Sequence, residues 1–214
     1  MTLRLSLAAA LAVLAIAPPT LARPITYTGG TVMRADTHAD GHHVRLTHSH
    51  TFRWSSSVGT IRYDGLARTG ELDIEYVRVA HLAHRWNFPT AQGNAFIWGG
   101  VGHARTRLGS GFSPHVGLQL DYETRRIYTA FNSDLYEGDG WSHRMDVATI
   151  GWAPYEHDID RLATWIVVRG THTTNAAESG VMAQAILRFF TPTWWLEVGA
   201  DENGEPLAGL MINF

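Results

Sequence analysis

The chain has 214 residues, a formal net charge of −3, 45% hydrophobic and only 17% charged residues, so it is neither disordered nor collagen-like. No basic run matches a phosphate backbone, which sets nucleic acid aside as a partner. All 17 cationic side chains are arginine and cysteine is absent, which excludes lysine Schiff-base and P-loop chemistry, disulfides, thiol catalysis and cysteine metal sites.

Residues 1–22 read as a secretory signal cleaved after Ala22, leaving 23–214 as one domain. Arg4 supplies the positive start, and the apolar run Leu5 to Ala17 is shorter than the roughly 20 residues of a membrane-spanning helix. Thr20 and Ala22 place small residues at the cleavage positions, and no cysteine follows to carry a lipid. Export of a cysteine-free chain points to a bacterial envelope.

The rest of the chain alternates with period two. Val44, Leu46, Phe52 and Trp54 share a phase against His43, Arg45, Thr47, Ser49, Thr51 and Arg53. Phe112, Pro114, Val116, Leu118, Leu120 and Tyr122 oppose Ser113, His115, Gly117, Gln119, Asp121 and Glu123. Val181, Ala183, Ala185, Leu187 and Phe189 repeat the pattern, and Ala208, Leu210, Ile212 and Phe214 close the chain. With no helical stripe anywhere, the fold class is all-β.

A soluble sandwich would turn the apolar phase inward; a membrane barrel turns it toward lipid. Several runs reach the roughly 9–11 residues that a tilted bilayer-crossing strand needs. The polar phase carries Arg45, Arg53, Asp121, Glu123, Arg144, Asp146, Arg169, Arg188 and Glu197. So many charges suit a wet, salt-bridged lumen and not a soluble core. Trp54, Trp86, Trp98, Tyr122, Trp141, Trp152, Trp165, Trp194 and Trp195 sit near strand ends, as two interfacial girdles would require. The expectation is an antiparallel transmembrane up-and-down β-barrel of about 12 strands, within a range of roughly 10 to 14. They fall near 26–35, 42–54, 57–64, 71–86, 94–106, 112–123, 126–136, 141–152, 161–171, 180–190, 193–200 and 206–214. With both termini periplasmic, the outside loops near 36–41, 65–70, 107–111, 137–140, 172–179 and 201–205 are all short, which argues against an adhesin or a lidded enzyme. The expected location is the bacterial outer membrane, with its lipid as partner.

Leu210, Ile212 and the final Phe214 resemble the C-terminal signal of bacterial outer-membrane barrels, which implies recognition by the barrel-assembly machinery. The blocks Arg85-Trp86-Asn87-Phe88-Pro89-Thr90-Ala91-Gln92-Gly93-Asn94, Gly151-Trp152-Ala153-Pro154-Tyr155 and Leu187-Arg188-Phe189-Phe190 resemble an uncharacterised group of small bacterial outer-membrane barrel proteins. Members of that group are often found near heavy-metal resistance genes. The resemblance implies location and a metal-stress setting, and it carries over no catalytic residue.

Asp36, His38, Asp40, His42 and His43 combine carboxylates and imidazoles in an outside turn and the strand after it, a composition suited to a divalent metal, the one cofactor the residues suggest. His48 and His50 share a strand face, and Glu156, His157, Asp158 and Asp160 form a second acidic cluster in a periplasmic connection. The primary reading is a narrow channel or passive envelope protein for small solutes or ions. The alternative is a lipid-modifying enzyme of phospholipase or lipid A acyl-modifying type, built on a Ser–His pair. Ser49 with His48, and Ser142 with His143, point to opposite faces; Ser113 and His115 share a face, but it is the luminal one. Catalysis is therefore not the expected role.

Overall fold

The computed structural model describes residues 27–156, 161–175 and 180–214. The segment read as a signal lies outside them, as do His157, Asp158 and Asp160. The chain forms β1 (Thr31–His38), β2 (Gly41–Ser49), β3 (Trp54–Leu66), β4 (Gly70–Asn87), β5 (Ala91–Thr106) and β6 (Gly109–Thr124). It continues through β7 (Ile127–Gly138), β8 (Trp141–Trp152), β9 (Ala163–Thr173), β10 (Val181–Phe190), β11 (Trp194–Asp201) and β12 (Pro206–Asn213). Each strand pairs antiparallel with its sequence neighbours, and β1 pairs with β12 to close the barrel. Val32 opposite Asn213 and Thr37 opposite Ala208 mark the ends of that seam.

The strand expected over 42–54 is divided. His50 and Thr51 amides donate to the Trp54 carbonyl at 2.9 and 3.2 Å, so the chain reverses between β2 and β3 without glycine, proline or asparagine. Thr51 replaces those turn residues: its Oγ1 accepts from the Arg53 and Trp54 amides at 3.2 and 3.0 Å. Thr106, Thr124 and Thr191 do the same, accepting from the Leu108, Ile127 and Trp194 amides. A threonine hydroxyl is the recurrent turn device of this barrel, and it leaves the period-two pattern unbroken.

Across the middle of the barrel the outward phase is apolar: Val58, Val77, Ile97, Val116, Ile150 and Val168 are each half exposed or more. Such a surface is stable only against hydrocarbon, and the closed ladder leaves no strand edge unsatisfied there. The chain is an outer-membrane β-barrel. Aromatic residues form one girdle, not two. Trp54, Trp86, Tyr122, Trp152 and Trp194 all face outward at the rim that holds both chain ends. Trp98, Trp141, Trp165 and Trp195, expected in girdles, belong to the other phase and pack inside.

The opposite rim, here the far rim, is ringed by charge. Outward Arg62 pairs with Asp64 at 3.1 Å and Glu71 at 3.3 Å, Arg105 with Glu75 at 2.7 Å, and Arg144 with Asp146 at 3.0 Å. β4 displays the transition within one strand: Glu71, Asp73 and Glu75 face out beside buried Leu72, Ile74 and Tyr76, and from Val77 onward the apolar side faces out. The phase inverts where the strand leaves the lipid. Val77 to Trp86 spans about ten residues, which matches the length of a tilted crossing.

That boundary is testable by unfolding the refolded barrel in urea. Ile97→Arg, in the apolar belt, is expected to cost about 2–4 kcal/mol. Asp73→Arg, in the charged ring, is expected to stay within about 1 kcal/mol.

Candidate functional site

The inward side chains divide the interior into a packed part and an open part. Above the lipid belt, Ile61, Tyr63, Leu72, Ile74, Tyr76, Tyr136 and Trp141 form one buried cluster contributed by β3, β4, β7 and β8. β3 and β8 are not sheet neighbours, yet Tyr63 Oη donates to Met145 Sδ at 3.3 Å and its ring lies 4.7 Å from that of His143. The tall strands therefore close on one another at the far rim. The β9–β10 connection fastens them: Asn175, with φ +67°, accepts from the Ala67 and Arg68 amides at 2.8 Å and donates to Thr69 Oγ1 at 3.2 Å. Asparagine tolerates this left-handed backbone better than most residues.

Beside this core runs a cavity of about 1120 Å³. Its lining includes Asp64, Gly65, Glu202 and Asn203 at the far rim and Phe88, Thr90, Thr124 and Arg125 at the rim of the chain ends. Glycines on adjacent strands make room for inward aromatic rings. A Cβ at Gly59 would sit 2.7 Å from the Tyr76 ring, so only glycine lets that ring lie across β3 toward His43, whose Nε2 is 2.6 Å from Tyr76 Oη. Gly117 likewise makes room for Trp98, whose Nε1 reaches across to donate to Asp134 Oδ1 at 2.7 Å.

Charges fill the remaining wall. Glu197, 1% exposed, accepts from Arg169 at 2.7 Å and from Arg188 Nε at 2.8 Å, so one carboxylate serves two guanidiniums. Arg34 forms a two-bonded fork with Asp36 at 2.7 and 3.0 Å. Trp195 lies between Arg34 and Arg188, at 5.1 and 5.3 Å from its ring centre. Arg85 donates to Asn94, and Asn94 donates to Asp121, each at 2.7 Å. Arg78 sits 4.9 Å over Trp98, its Nη1 3.9 Å from Asp134.

Of the charges assigned to the lumen from sequence, Arg45, Asp121, Glu123, Arg169, Arg188 and Glu197 line the cavity. Arg53 does not: it lies exposed in the β2–β3 turn, because the alternation runs through a reversal of the chain. Arg144 and Asp146 do not either: Met145 and Val147 take the inward positions of β8, so the pair faces outward, above the phase inversion. Sequence reasoning missed Arg34, Arg78 and Asp134. Arg78 carried the signal that identified Arg45, an arginine between two aliphatic residues: Val77 and Val79 here, Val44 and Leu46 there.

The five metal candidates are not brought together. Asp36 is held by Arg34, His43 by Tyr76, and His42 faces out while His43 faces in. The pleat, which sends adjacent residues of one strand to opposite faces, takes His42 away from the rest; Asp36, His38, Asp40 and His43 all line the cavity. Among the described residues no group of three or more His, Asp or Glu side chains is placed to hold a metal ion. Leu210 and Ile212 lie on the outer phase of β12, whose Leu210 pairs with Ala35 and Leu196; Phe214 N donates to the Thr31 carbonyl at 2.9 Å, so the chain end joins the seam.

No family model and no curated protein matches this chain. Among solved structures it is similar to a KdgM porin in complex with disordered oligogalacturonate, at 11% identity and a TM-score of 0.49, covering 86% of this chain and 98% of that one. It is similar to LpxR from Salmonella typhimurium, at 7% identity and a TM-score of 0.46, covering 86% and 99%. It is also similar to OccK11 (OpdR) from Pseudomonas aeruginosa, at 8% identity and a TM-score of 0.44, covering 94% and 75%. Likenesses of this degree assign neither a permeant nor a chemistry to this chain.

The double use of Glu197 sets an expectation. Glu197→Gln leaves two partly buried guanidiniums without their counter-charge and is expected to destabilise the barrel by about 3–5 kcal/mol in urea. Arg53→Gln is expected to change stability by less than about 0.5 kcal/mol.

Proposed function

We propose that the barrel is a narrow passive channel for small solutes or ions across the outer membrane. The observation that supports this most is the continuity of one charged cavity from the residues of one rim to those of the other. Twelve strands enclose more space than the eight whose interior is just filled by side chains, and the far-rim core takes up only part of it. Short turns leave no large surface for adhesion, and opposed charges along the wall favour a hydrated path over a lipid-binding one.

The geometry gives little support to a lipid-modifying enzyme. Ser113 and His115 share the inner face, but Ser113 Oγ and both His115 ring nitrogens are buried without a hydrogen-bond partner, so neither activates the other. Both lie on the inner face, away from the outer surface where acyl chains would approach.

Planar-bilayer recording of the purified barrel tests the channel. Stable single-channel steps are expected, smaller than those of a sixteen-stranded porin, and Asn175→Ala is expected to add fluctuation by freeing the β3–β4 turn from the β9–β10 connection. Electrical silence of correctly folded protein, together with acyl release or transfer from labelled lipid, would replace this reading with the enzymatic one. The metal-stress setting implied by the resemblance needs the β1–β2 ligands to act together. Because they do not converge, calorimetric titration with Zn²⁺ is expected to give the same result before and after joint replacement of His38, His42 and His43 by alanine.

A further inference from the structure

Not every lumen cation is matched by a carboxylate. Arg34 is forked by Asp36, Arg169 and Arg188 share Glu197, and Arg78 approaches Asp134. Arg45 forms no ion pair among the described residues, and its Nε is buried without a hydrogen-bond partner. It stands directly opposite Arg34 in the β1–β2 register, a like-charge cross-strand pair, and the carboxylate that acts on both, Asp36, is already engaged by Arg34 through two hydrogen bonds.

Around Arg45 the wall offers donors. Arg78, its side chain 8% exposed, also has an unpartnered Nε, and the Asp134 oxygen nearest its Nη1 already accepts from Trp98. Between the two arginines β3 presents only Gly59, covered by the Tyr76 ring, and Ser57, opposite Arg45 and Arg78 respectively. Ser55, one inward position further along β3, has a buried hydroxyl without a partner. Orphaned donors on two guanidiniums and a hydroxyl of one cavity wall are unusual in a folded protein, where buried polar groups are otherwise satisfied.

We infer that Arg45, Arg78 and Ser55 form an anion-binding subsite within the lumen that takes the oxyanion group of a small solute, foremost the carboxylate of a small organic acid. The planar guanidiniums match the carboxylate fork. The ring of Trp98, which lines the cavity 4.9 Å from the Arg78 guanidinium, offers an apolar surface to the body of the acid. This deepens the channel reading, which supplies the route to the site, but binding and conduction can fail separately.

The purified barrel in detergent at low ionic strength is titrated calorimetrically with sodium acetate, sodium benzoate and sodium sulfate. Saturable one-to-one binding is expected, weakened about tenfold or more by Arg45→Gln or Arg78→Gln and unchanged by Arg53→Gln. Tighter binding of benzoate than of sulfate assigns the site to organic acids; the reverse assigns it to inorganic oxyanions. Heat-dependent migration on gels verifies that each variant is a barrel. If Arg45→Gln does not fold, Arg45→Lys, which keeps the charge and loses the fork, is expected to bind several-fold more weakly. Equal affinity in the wild type and the folded Arg45 variant, or no saturable binding of any of the three anions, overturns the site. Anion binding by a barrel that is silent in bilayers refutes the channel and leaves the site standing; conductance without binding refutes the site alone.

Discussion

Everything in this molecule depends on the pairing of β1 with β12. Backbone amides and carbonyls cannot remain unpaired in hydrocarbon, so an open sheet of these strands would have no stable place in a bilayer. Once the seam from Val32–Asn213 to Thr37–Ala208 closes, the pleat assigns every residue to lipid or lumen. The apolar phase that would aggregate in water becomes the belt, and the arginines and acids that no soluble core could hold become the wall of a hydrated cavity.

Closure also imposes a boundary. Lipid covers only the middle of the longer strands, and where β4 rises beyond it the rule for burial reverses: polar residues face out to water and apolar residues pack in. Glu71, Asp73 and Glu75 against Leu72, Ile74 and Tyr76 are the pattern of a soluble sheet, continued directly into the membrane pattern at Val77. The core that results fills the far end of the lumen on the β3–β8 side and narrows the cavity there. The packing at that end of the cavity thus arises from the same excess strand length that projects beyond the bilayer.

The fold was legible because a twelve-stranded barrel repeats one signal many times, and small errors in each strand do not change the count. What escaped the sequence were places where that signal continues through a change of geometry. His50 to Arg53 keep the alternation while the chain turns on a threonine hydroxyl, so Arg53 reads as luminal and is not. Arg144 and Asp146 keep their phase relative to Ile150, but they lie above the inversion, where outward charge is the stable choice. The tryptophans other than Trp98, which lies in the middle of β5, are near strand ends, yet only their parity tells a lipid-facing girdle residue from a lumen-facing one such as Trp195. Among the metal candidates, proximity in sequence was mistaken for proximity in space, because His42 and His43 are separated by the sheet itself.

The absence of lysine acquires a physical meaning in this setting. Where guanidiniums line the lumen, several meet an aromatic face or a shared carboxylate: Arg34 and Arg188 flank Trp195, Arg78 covers Trp98, and Arg169 and Arg188 divide Glu197. A planar, delocalised cation can stack on a ring and still direct its edge N–H groups to an oxygen, whereas an ammonium, compact and strongly hydrated, would hold its water and stand out into the cavity. Rings packed over inward glycines and guanidiniums packed against rings keep the wall thin. Thin walls leave room for a cavity in a barrel of this strand number, so the choice of arginine as sole cation and the presence of that cavity belong to one packing solution.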